Sequence, residues 1–182
     1  MKQKTAQGFT LIELLIVIAV LGILAVAVLS AINPIEQINR SRDTGSRSDA
    51  EQLLGAIDRY YASVGHYPWT TEPSTTQPTG WIEVGSTWTD GTLGATGVVL
   101  NKLSAAGTGE VKASFTERIT GTSANKLFVE NLGDQGQSTY ICFEPLSSSF
   151  KAEAKARCDS TPPDFPAEAC DTANSIYFSC LP

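Results

Sequence analysis

A run of twenty-four almost wholly apolar residues, 9–32 (FTLIELLIVIAVLGILAVAVLSAI), constrains this chain more than any other feature. At about 1.5 Å per residue it makes roughly 36 Å of helix, enough to cross the hydrocarbon of a bilayer. The eight residues before it carry Lys2 and Lys4 and no acid. That charge bias predicts a single-pass span with its N-terminus on the cytoplasmic side. A secretory signal peptide fits less well, because its apolar region is shorter and ends in a small-residue cleavage site.

Glu13 lies inside this run. An ionised carboxylate in hydrocarbon is costly unless it snorkels to the headgroups or meets a cation. The functional reading is a cationic partner on another subunit.

Gly8-Phe9-Thr10-Leu11-Ile12-Glu13, behind a short basic leader, resembles the prepilin signature of type IV pilins and type II secretion pseudopilins. The resemblance implies that a prepilin peptidase/methyltransferase cuts between Gly8 and Phe9 and methylates the new amino group of Phe9. Cleavage would remove Lys2 and Lys4 and create an ammonium at Phe9. That ammonium would pair with Glu13 of a neighbouring subunit, fixing axial register more than adding net stability. The family's partners follow: other pilin subunits, an inner-membrane platform, an assembly ATPase, and lipid before assembly.

Gly22 interrupts the span, either for close helix packing or as a stretchable point. Many pilins of this family carry a proline near the position of Ser30; here Pro34 follows four residues later. Asn33-Pro34-Ile35-Glu36 reads as a helix restart, with Asn33 as cap and Pro34 at the first helical position. Residues 39–52 are polar and read as a solvated stem. Thr44-Gly45-Ser46 is a candidate break, and Ser48 with Glu51 a second capping box. From Leu53 an apolar stripe returns through Leu54, Ile57, Tyr60, Tyr61 and Val64 at helical spacing, so this part packs on a head. Gly65 and Pro68 end it.

Residues 70–97 read as a variable connection, with a strand at 81–84 and a short helix at 98–103. Residues 111–119 fit either period. Residues 126–132 and 138–144 flank Gly133-Asp134-Gln135-Gly136, a hairpin signal. The alternation of residues 150–158 predicts a half-solvated strand, and 175–180 a last one. The fold class is α+β. A long N-terminal helix, half of it membrane-spanning, packs through its C-terminal half on an antiparallel β-sheet head. The expected divisions are a leader at 1–8, a span at 9–32, a stem at 33–64 and a head at 65–182.

Cys142, Cys158, Cys170 and Cys180 include no C-x-x-C pair, so zinc and redox motifs are weak. In an exported head two disulfides are expected. Three connectivities exist. The nested one is favoured, because Cys142 and Cys180 fall in candidate neighbouring strands and Cys158 and Cys170 bracket a turn-rich loop. A disulfide-closed C-terminal region also resembles that of many pilins.

Neither a phosphate-binding loop, a nucleophile elbow nor an H-E-x-x-H motif is present, so no catalytic residue, cofactor or metal is expected. His66, the one histidine, reads as turn filler. Thirteen Lys and Arg against nineteen acids give a formal charge of −6, which becomes −8 without Lys2 and Lys4. Residues 65–182 carry seven cations and thirteen acids, which disfavours nucleic acid as a partner. The leading expectation is a filament subunit on the cell surface or in the periplasm. Alternatives are a pseudopilin, a DNA-uptake minor pilin, and an anchored binding ectodomain that never polymerises.

Overall fold

The computed structural model describes residues 8–70, 79–85, 88, 98–104, 107–121, 125–133 and 138–182. The leader up to Gln7, most of the 70–97 connection and the Asp134 turn lie outside the described residues. The chain divides into two compact units, Met1–Gln37 and Ile38–Pro182. The first contains α1, Leu11–Ala31, an apolar helix with no buried residue. By length and composition it can cross a membrane.

Helix α2, Pro34–Val64, starts where Asn33 accepts the Glu36 N–H through Oδ1 at 3.3 Å. It ends at Gly65, whose φ of 83° only glycine adopts without strain and whose N–H donates to the Tyr61 carbonyl at 2.8 Å. The expected break at 44–46 does not occur, and the Ser48–Glu51 box has no helix start to cap. One glycine costs a helix about 1 kcal/mol. Asp43 and Ser46 on either side of Gly45 are both buried, so tertiary packing outweighs that cost. The solvated stem is corrected with it. Asp43, Ser46 and Ala50 continue the buried stripe of Leu53, Ile57 and Tyr60 towards the N-terminus.

The head is a four-stranded antiparallel sheet in the order β1 (Thr79–Glu83), β2 (Leu127–Asn131), β3 (Tyr140–Phe143) and β6 (Ser179–Leu181). β4 (Cys170–Asp171) and β5 (Ile176–Tyr177) form a separate two-stranded ribbon. Alternation splits the sheet's side chains between two cores. Leu127, Val129, Ile141 and Phe143 join Leu53 and Ile57 of α2, with Trp69 and Trp88. Each fully buried large side chain here stabilises the fold by about 1.5–3 kcal/mol. Tyr140, Cys142 and Cys180 on the other face meet Phe165 and Ala169, with Trp81, Phe128 and Phe178 packed alongside. These last three rings lie 5.1–5.3 Å apart.

Helix α3, Val99–Leu103, follows the expected short helix, and the ambiguous 111–119 stretch becomes α4, Ala113–Thr120. The strand expected at 150–158 is a helix instead, α5, Ser148–Cys158. Ser147 caps it by accepting the Phe150 N–H through Oγ, and Phe150 and Ala154, four apart, are its buried residues. Alanine at every second position alternates with charge but also suits a helix, and the cap decides between them.

Candidate functional site

Thr10 is the N-cap of α1, in extended conformation with φ −78° and ψ 150°. Its Oγ1 accepts the Glu13 N–H at 3.3 Å. Glu13 reaches back, and its Oε2 accepts the Thr10 N–H at 2.8 Å and the Thr10 hydroxyl at 2.7 Å. This is a reciprocal capping box. An anion in the first turn also complements the helix dipole. Both bonds fall on Oε2, and no donor among the described residues reaches Oε1. Gly8 and Phe9 precede the helix, and Phe9 is 92% exposed.

Chemically, the arrangement is a carboxylate fixed at a helix start with one oxygen held locally and the other open to a cation. Phe9 makes no bond to Glu13 within the chain; Thr10 does. Thr10 is a site residue that the apolar run alone does not reveal, although Thr10-x-x-Glu13 is the sequence signature of a capping box.

The second unit is closed covalently. Cys142 is bonded to Cys180 and Cys158 to Cys170, and no cysteine is free. The first bond joins directly paired residues of β3 and β6. The second ties the end of α5 to the strap that covers the outer face of the sheet. Asp164 in that strap accepts the Ser138 N–H at 3.0 Å and the Tyr140 hydroxyl at 3.2 Å. The Ser138 N–H foremost holds the Asp164 carboxyl below the usual carboxylate range. Burial, and then the charge of Asp164, push the Tyr140 phenol up.

His66 sits in the turn after α2, its ring edge-on to Tyr60 at 6.0 Å. No group of three metal-ligating side chains occurs among the described residues. Asp43 is the other residue the sequence did not single out. It is wholly buried in a polar stretch, and its partners lie about a hundred positions away.

The prokaryotic N-terminal methylation motif matches residues 3–29. The chain therefore carries the N-terminal signature of type IV pilins and pseudopilins, and that motif implies processing by a prepilin peptidase. Among curated proteins, fimbrial protein EcpC of Eikenella corrodens is 40% identical over 68 residues, 37% of this chain and 43% of that protein. The chain thus matches less than half the length of that relative. No solved structure matches significantly.

Proposed function

We propose that this chain is a structural subunit of a type IV pilus-like filament. It is made as a precursor anchored by α1, cut between Gly8 and Phe9, methylated on the Phe9 amino group, and polymerised through α1. A membrane platform and a cytoplasmic ATPase drive the extraction from the membrane, since the chain carries no nucleotide-binding loop of its own. The filament then stands outside the cytoplasm, with the head as its outer shell.

One observation carries this reading. The Thr10–Glu13 box holds the carboxylate at the start of a wholly unburied apolar helix, with Oε1 open. In a lone anchor the carboxylate does no more than cap its own helix. In a polymer Oε1 gains a partner, because cleavage of each subunit supplies an ammonium at Phe9. The pair fixes how far one helix is displaced along the next.

Intact-mass measurement on the membrane fraction tests the processing. The expected mature chain begins at N-methyl-Phe9, and Gly8→Val leaves the precursor whole. A mature protein that retains Lys2, in a host with active peptidase, overturns the reading.

A further inference from the structure

Residues 158–182 contain four acids, Asp159, Asp164, Glu168 and Asp171, and no Lys or Arg. The fold draws Asp164 and Glu168 to one end of the sheet, and the Cys158–Cys170 bond brings Asp159, the C-cap of α5, beside the Glu168 turn. Asp164 binds Ser138 and Tyr140 at the start of β3. Glu130 is paired with Tyr140 on β2, and the charge of Glu168 acts on it. Arg157 is an exposed cation near this end, and its charge acts on Tyr140.

β3 then runs the other way for four residues, about 13 Å at 3.3 Å per residue. Its continuation reaches Ser147, which sits against Asp43. Cations gather here. Arg40, Arg42 and Arg47 flank Asp43 on α2, and Lys151 lies in the first turn of α5, whereas Lys155 lies in its last turn with Arg157. Arg47 is shared between Glu51 at 3.8 Å and Glu153 at 3.4 Å. Arg40, Arg42, Lys151 and Lys155 are exposed and form no ion pair among the described residues. Glu51, Glu144 and Glu153 are exposed acids at this end, and Arg47 engages Glu51 and Glu153. Because residues 150–158 form a helix rather than a strand, Glu153 is engaged by Arg47 while Lys151 and Lys155 share a separate face.

The head therefore has a cationic end and an acidic end. Two unlike faces on one chain make a heterologous contact, and repetition of such a contact builds an open helical polymer. A single exposed ion pair contributes little. Opposed patches of several charges still select orientation and reject wrong registers.

We propose that the two ends are the halves of one contact between consecutive copies. The cationic end around Arg42 and Lys151 receives the acidic end around Asp159 and Glu168 of a second copy of this chain. The inference rests on the filament reading above and names the contact between heads that accompanies the α1 core.

Coexpression of two double variants tests it. Arg42→Glu with Lys151→Glu reverses both contact charges of the cationic end, and Asp159→Lys with Glu168→Lys reverses both contact charges of the acidic end. Each variant alone should be cleaved and oxidised normally but give no sheared filaments, and the two together should restore them. Filaments at wild-type yield from either variant alone overturn the contact, and so does a coexpressed pair that gives none. The milder Arg42→Gln with Lys151→Gln should lower the yield, and an unchanged yield also overturns it. Absence of filaments from the wild-type chain would instead overturn the filament reading itself.

Discussion

Asp43 and Ser147 stand 104 positions apart in sequence and are joined by two hydrogen bonds. Asp43 Oδ2 accepts the Ser147 N–H at 2.8 Å and the Ser147 hydroxyl at 2.5 Å, while Oδ1 accepts the Leu146 N–H at 2.9 Å. Ser147 is in turn the cap of α5. One carboxylate thus ties the middle of α2 to the start of α5 and satisfies two backbone donors that a buried helix entrance would otherwise leave unpaired.

Replacing Asp43 by Ala should therefore lower head stability by about 3 kcal/mol. The lost bonds are to a carboxylate, and the Ser147 donors would remain buried. Asp43→Asn should cost less, since it keeps one acceptor. Thermal unfolding of the full chain in detergent micelles, followed by near-ultraviolet circular dichroism, measures both. No loss on Asp43→Ala would show that the bonds are incidental.

This relationship also marks where the sequence stops being legible. The 9–32 span could be read from its unbroken apolar length, the 53–64 stripe from its helical period and the 126–144 hairpin from its turn signal, all of which report on local neighbours. Asp43 has no period to betray it, and its burial depends on donors from a distant turn. Residues 150–158 alternate and still form a helix, because alanine suits either state and Ser147 supplies the cap. Gly45 would break a solvated helix but not one held on both sides by Asp43 and Ser46. At the candidate site, Glu13 is conspicuous as a charge in an apolar run, whereas Thr10 has no such contrast with its neighbours and shows its role only through its bonds to Glu13.

Loss of either disulfide should destabilise the head in proportion to the loop it closes. On the chain-entropy account, a separation of 38 for Cys142–Cys180 predicts about 4 kcal/mol, and a separation of 12 for Cys158–Cys170 about 3 kcal/mol. Unfolding of the paired Cys→Ser variants checks the order. The opposite order would locate their effect in native packing rather than in loop closure.

Glu130 predicts a pH dependence. Burial first, and then the nearby charge of Glu168, raise its carboxyl above the ordinary glutamate value. The folded state thus binds this proton more tightly than the unfolded chain. Its contribution is full below the ordinary glutamate value and is lost as pH rises through the raised one. Glu130→Gln removes the titration, so it should raise the melting temperature at neutral pH relative to wild type. The gain should shrink as the solution is acidified. A gain that is constant with pH would mean that Glu130 acts through packing alone.

The central claim is that Glu13 joins subunits rather than merely anchoring one. Glu13→Val removes the span's only charge, so insertion should be unaffected or improved. In a filament it would leave the neighbour's Phe9 ammonium unpaired, and breaking a buried pair on one side costs about 3–5 kcal/mol at each contact. Imaging of sheared filaments together with intact-mass analysis of the membrane fraction measures both consequences. The expected result is complete cleavage after Gly8 with no filaments when only Glu13→Val subunits are present. Filaments of wild-type yield and length from that variant would contradict the account and leave α1 an ordinary hydrophobic anchor.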